Sequence, residues 1–282
     1  MKKYMSLLLA FMFLFNLMVF ADSSVVVTIG KDISKDQRAQ MLDLFKVEEN
    51  KTTIIEVNNE EERQYLEGVA TEDQIGNMTL SSAYVEILEE GSGIDVEIYN
   101  INWVTKEMYQ SALITAGVSD AKVIAAAPFP VTGTGALTGI LKAFELATGK
   151  TISEEQKKVA NEEVITLGDL GEEIGPDQAT ELIRIVKEEL VKRDLKDPED
   201  IKKLVIDIAG KLDIKLNADN ITDLSGLMEN ISKLNLDTEQ IKSGLKDLGQ
   251  KLDDTIKNNE EVQTLLQKIF AAIKEFFQSL FK

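Results

Sequence analysis

Residues 120–148, DAKVIAAAPFPVTGTGALTGILKAFELAT, join a buried strand to a helix through a proline-bounded turn, and mark where the first half of the chain hands over to the second. Val123, Ile124 and Ala125 to Ala127 form a continuous apolar run, as in a strand covered on both faces. Pro128 and Pro130 are expected to end it, because neither can donate to a ladder and each biases its predecessor away from helix. Thr132 and Thr134 can each offer a hydroxyl to free helix N–H groups. The helix itself follows at Ala136, Leu137, Ile140, Leu141 and Phe144 and closes at Gly149.

Upstream of this stretch the pattern alternates strand and helix. Val25 to Ile29 is a β-branched run, Ser34 opens a helix carrying Met41, Leu42 and Phe45, and Thr52 to Val57 is the next strand. These make a β-α-β unit, so the two strands are expected to be parallel. Asn58 or Asn59 caps a short helix through Leu66. Two alternating strands, SSAYVEILEE and GIDVEIYNINWV, flank Gly91-Ser92-Gly93 and predict a hairpin. Thr105 then caps a helix that ends near Gly117.

Downstream, strand signals stop. Ser153-Glu154-Glu155-Gln156 is a capping box, while Gly175-Pro176 and Asp197-Pro198-Glu199 start further helices. Gly168 and Gly210 sit where helix ends are expected. From Leu224 a 3,4 alternation of apolar residues runs to Leu280, but Asp237-Thr238-Glu239-Gln240 reads as a fresh helix start, so two or three antiparallel helices are expected rather than one rod. The chain is therefore α+β: a mixed α/β domain over 22–130 with a sheet of about five strands, then an all-helical region over 131–282.

Residues 1–21 read as a secretory signal peptide. Lys2 and Lys3 form the charged start, Leu7 to Phe20 the apolar core, and Val19-Phe20-Ala21 a small-x-small site, with cleavage expected after Ala21. The apolar run is short against the ~20 residues that span a bilayer. The sequence predicts a secreted, extracytoplasmic protein, released or held at the envelope by non-covalent contact. With 31 Lys+Arg against 49 Asp+Glu the net charge is −18, a surface that repels nucleic acid.

The span from Ser82 through Phe144 resembles the secreted YpuA-like family of low-GC Gram-positive bacteria. The resemblance is carried most specifically by Asn102-Trp103-Val104-Thr105, Ile114-Thr115-Ala116-Gly117 and Ala127-Pro128-Phe129-Pro130-Val131. It implies an extracytoplasmic protein of a domain-of-unknown-function family, with no catalytic residue to carry over.

The chain contains no His and no Cys, which removes Ser-His-Asp triads, Cys nucleophiles, thiolate metal sites and His-ligated zinc. Carboxylate chemistry, a Ser-Lys dyad or oxygen-ligand metals remain. No catalytic residue, metal ligand or cofactor is assigned. Gly133-x-Gly135-x-x-x-Gly139 superficially resembles a phosphate-binding turn, yet no P-loop Lys follows it; close helix-on-sheet packing through Gly135 and Gly139 is the simpler reading. A small-ligand site at that helix start would use Thr132, Gly133, Thr134 and Gly135, with Asn102 and Trp103 as further candidates. Glu86, Glu89, Glu90, Asp95 and Glu97 read as a solvated face. Asn217, Asp219 and Asp223 resemble part of a calcium loop but lack its central Gly and terminal Glu, so they read as a helix cap.

These observations favour a non-enzymatic binding or interaction module with an envelope protein or polymer as partner. The alternatives are an extracytoplasmic hydrolase using carboxylates or a Ser-Lys pair, and a structural envelope protein that oligomerises through its C-terminal helices. The apolar face of residues 260–281 could serve membrane contact, but burial against other helices is the favoured reading.

Overall fold

The computed structural model describes residues 25–257. The signal peptide expected over 1–21 and the terminal helix expected over 260–281 lie outside the described residues.

Five strands, β1 (Val25–Gly30), β2 (Thr53–Val57), β3 (Ser82–Ile87), β4 (Ile94–Ile101) and β5 (Ala121–Val131), form one mixed sheet in the order β2-β1-β3-β5-β4. The helices interleaved with them are α1 (Lys35–Phe45), α2 (Asn59–Leu66), α3 (Glu72–Ile75) and α4 (Lys106–Thr115). After β5 come α5 (Ala136–Thr148), α6 (Glu154–Ile174), α7 (Pro176–Arg193), α8 (Pro198–Lys211), α9 (Ala218–Lys233) and α10 (Thr238–Lys257). The α+β class expected from the sequence is what the chain adopts.

β1 and β2 pair in parallel, as the β-α-β reading requires. The expected hairpin is corrected. β3 and β4 do not pair with each other; β5 lies between them, antiparallel to β3 and parallel to β4. The reason is the apolar run of β5, which has no polar face to leave wet and so takes an inner position between two half-wet strands. The 88–93 connection wraps the start of β5 instead: Leu88 N donates to Asp120 O, and Gly91 N and Gly93 N both donate to Asp120 Oδ1.

β5 also outlasts its prolines. Pairing with β3 stops at Ala126, so the segment after it has no neighbour on that side that needs an N–H. On the other side the register shifts between Tyr99 and Ile101, Asn100 takes a positive φ and its side chain donates to Ala127 O, and Ile101 pairs with Val131.

One face of the sheet, with Val26, Val85, Val96, Val123 and Ala125, packs on α4 and α5 and continues into the helical half as far as Leu252. The other face is covered by α1, where Met41, Leu42 and Phe45 meet Val27, Ile29, Ile124 and Ala126. Most helix starts are those the sequence marks: Ser34, Asn58, Thr105 and Ser153 all close capping boxes, and Asp237 Oδ1 accepts from Glu239 N and Gln240 N to begin α10 as a separate helix. Gly168 is a second correction. It does not end a helix but lies within α6, where the missing side chain leaves room for the Trp103 indole; a Cβ there would overlap the ring.

Candidate functional site

The turn at 132–135 closes one end of the sheet. Asn102 N donates to Val131 O at 3.0 Å and Val104 N to Thr132 O at 3.1 Å, so the end of β4 and the end of β5 are laced together just before the turn. Beneath it Tyr109 of α4, fully buried, donates from its hydroxyl to Gly133 O. The threonines do not cap α5 as expected. Gly135 stands at the N-cap with no side-chain hydrogen bond, the Thr134 hydroxyl donates to Gln74 O at 2.6 Å, and Thr132 is exposed on the rim. Two segments distant in sequence draw together there because Thr134 is short and its oxygen meets a carbonyl that α3 leaves free at its C-terminal end.

Around this turn is a cavity of about 360 Å³ lined by Thr132 to Gly135, by Asp73 to Met78, Leu80 and Ser81, and by Glu62 of α2. Glu62 is the residue that sequence reasoning missed. Its side chain is 2% exposed and lies against Gly135 so closely that a Cβ at that glycine would overlap the carboxyl. Asn59 Nδ2 donates to Oε2 at 3.3 Å. Thr79, 1% exposed, holds its hydroxyl near enough to favour the ionised form, but off hydrogen-bond geometry, and that hydroxyl has no partner. Burial raises the Glu62 pKa to about 7, with the charges of Asp32 and Glu61 adding to the rise. No cation pairs with it among the described residues.

The neighbouring Glu61 is the opposite case. Burial pushes its carboxyl up, but an ion pair with Lys142 and the Asn58 N–H, 3.0 Å away, outweigh this and hold it below the usual range. Adjacent residues on one helix therefore differ in kind: Glu61 is neutralised and Glu62 is not.

The remaining candidates lie elsewhere. Asn102 is exposed and serves the strand end through its backbone. Trp103 does not enter the cavity; its indole rests on Gly168, and Nε1 donates to Glu172 Oε1 at 2.6 Å. Gly139 behaves as the packing reading holds, since a Cβ there would come within 2.7 Å of the Thr28 hydroxyl on β1. Asn217 is the N-cap of α9, closing a capping box with Asn220, and both side-chain amides donate to Glu173. Among the described residues no group of three acidic, His or Cys side chains could hold a metal ion.

A Ser-Lys contact does form. Lys187 Nζ lies 2.9 Å from Ser111 Oγ, but it also donates to Glu163 Oε1 at 2.7 Å and to the Thr115 hydroxyl at 3.1 Å, and Glu163 accepts from both hydroxyls at 2.5 Å. Lys187 is 1% exposed and Glu163 0%. Burial lowers the Lys187 pKa and Glu163 opposes it. A nucleophile sealed this way meets no substrate, and the network reads as a joint between α4, α6 and α7.

A larger groove of about 890 Å³ runs along the α1 face of the sheet. Its polar side chains satisfy one another: Lys122 pairs with Glu97 and Lys51 with Glu48, each at 2.8 Å, while Tyr84 and Tyr99 donate to Glu86 and Glu97. The smaller cavity is the one with an unmet charge.

Residues 29–248 match the family described as "Protein of unknown function (DUF1002)". The chain is also 39% identical over 266 residues to "Uncharacterized protein YpuA" of Bacillus subtilis (strain 168), covering 93% of this chain and 91% of that protein. No solved structure matches it.

Proposed function

The chain belongs to the DUF1002 family of proteins of unknown function, and from that premise we propose that it is an extracytoplasmic, non-enzymatic binding protein that takes up a small ligand at the 132–135 turn. The observation that carries the reading is the cavity at that turn, walled by a carboxyl that is 2% exposed and has no counter-charge from its own chain. A fold gains nothing from burying an uncompensated acid, which costs several kcal/mol even after the group shifts its pKa. Such a group next to an open cavity fits a ligand that completes it. Export is supported by the apolar leader ending at Ala21.

A hydrolase has one observation in its favour, the raised pKa of Glu62, which suits a general acid. It would need a second carboxyl facing the same substrate. Glu61 is turned to Lys142, Asp32 accepts from Thr79 N at 2.8 Å and does not line the cavity, and Asp73, which does, is an exposed residue in the first turn of α3.

Thr132→Trp tests the reading, because an exposed rim residue can plug the cavity without disturbing the core. Thermal shift against fractionated small molecules from spent medium is expected to find fractions that stabilise the wild type and not the plugged variant. Stabilisation of both alike, or of neither, would overturn the site. Cell fractionation and N-terminal sequencing are expected to find the chain outside the membrane beginning at Asp22; a full-length chain kept inside would overturn the export half.

A further inference from the structure

We infer that the ligand of the turn cavity presents an ammonium group, and that Glu62 is the residue that holds it; this rests on the turn being a binding site at all. The groups that face the Glu62 carboxyl come from five segments. Asp32 approaches from the β1–α1 connection, Glu61 and Asn59 from its own helix, Thr79 from the segment before β3, Tyr109 from α4 and Gly135 from the turn before α5. Two are anionic, and none is cationic.

Of the nearby cations, Lys31 acts on Glu61 and not on Glu62, while Lys142 and Arg63 are engaged elsewhere. Lys142 bonds to Glu61 and to Glu56 O. Arg63, the next residue along, forks onto Glu72 at 3.0 and 2.8 Å and also donates to Asn59 Oδ1 and Gly76 O. Its guanidinium thus does not reach Glu62. The cavity is lined by a carboxyl that lacks a counter-charge from its own chain.

The chemistry of the occupant follows by exclusion. An anion would be repelled by the Glu62 carboxylate, with the charges of Asp32 and Glu61 behind it. A neutral hydroxyl could bond to the carboxyl but would leave its charge unbalanced at alkaline pH. A metal ion lacks ligands, since no three acidic side chains come close enough together among the described residues. An organic ammonium supplies both the missing charge and N–H donors in a cavity of about 360 Å³, room for a small molecule.

Binding also moves a proton in a stated direction. Near neutral pH the free carboxyl is partly protonated, its pKa standing at about 7. An arriving ammonium keeps its own protons and favours the ionised acid, so Glu62 gives its proton to solvent. Between pH 6 and pH 8 the competent fraction changes roughly tenfold, and affinity rises by the same factor.

The test uses three two-carbon probes that differ in one group: ethanolamine, ethylene glycol and glycolate. Amide spectra of the described chain's full-length mature form are recorded with each probe at pH 6 and pH 8, for wild type and for Glu62→Gln, whose own spectrum checks its fold. Ethanolamine alone is expected to shift the amides of Gly133, Thr134 and Gly135, about tenfold more tightly at pH 8, and to lose this in Glu62→Gln. If ethylene glycol binds as well, or Glu62→Gln binds unchanged, the ammonium inference falls while the turn remains a site. If no probe shifts these amides but spent-medium fractions still stabilise the wild type over Thr132→Trp, the inference alone falls. If neither experiment finds binding, both fall.

Discussion

At the scale of the residue, Glu62 sets a slope in stability against pH. Its folded pKa, about 7, stands above the ordinary value of 4.5. Between those values the native state holds a proton that the unfolded chain has lost, so stability is greatest below pH 4.5 and falls as pH rises through 7. A shift of this size corresponds to about 3 kcal/mol. Urea denaturation at pH 5 and pH 8 is expected to show that loss in the wild type and to show it largely removed in Glu62→Gln; parallel slopes in the two proteins would mean the carboxyl is not buried as described. The sequence marked the turn that Glu62 faces and not Glu62 itself. NNEEER reads as a wet first turn, because acids are common there. The signal was the spacing of Glu62 and Leu66, which share the helix face turned inward, both being buried. Nothing local says that this face meets a turn seventy residues downstream, and that is why the cavity needed three dimensions.

At the scale of the element, helices were legible and strand order was not. Caps are local chemistry, a side-chain oxygen and an N–H three residues on, so Ser34, Thr105, Ser153 and Asp237 could be read directly. Strand neighbours are not local. The Gly91-Ser92-Gly93 turn has the composition of a hairpin, but the apolar β5 competes for the slot and takes it. Gly168 misled for a related reason, since a glycine that makes room for an indole looks like one that ends a helix. The joint between α4, α6 and α7 gives an element-scale prediction. Lys187→Met should cost about 3 to 5 kcal/mol, because Glu163 is then buried unpaired, and Lys187→Met with Glu163→Leu should recover most of it. Chemical denaturation of the single and double variants measures this; a double variant as unstable as the single would show that the hydroxyls of Ser111 and Thr115, not the charges, hold the joint.

At the scale of the whole molecule, one apolar cluster runs from Val26 to Leu252 and takes in both the sheet and the helices after it. The sheet's inner face is covered by α5, and α4 is covered in turn by α6, α7 and α10. Residues 25–131 alone are therefore expected to show no cooperative thermal transition by circular dichroism, whereas 25–257 should melt as one unit; an independent sharp melt of the shorter chain would show that the sheet needs no cover from beyond β5. The long reach of this packing has a kinetic side. Gln110 of α4 donates to Asp247 Oδ2 at 2.9 Å, and Lys251 reaches the carbonyl of Ile94, so α10 closes on segments made 137 and 157 residues earlier. A chain delivered from its N-terminus cannot complete its core while it is still being threaded. It must stay open, with α4 incompletely covered, until α10 arrives, a delay that exposes the growing polypeptide to aggregation and proteolysis meanwhile.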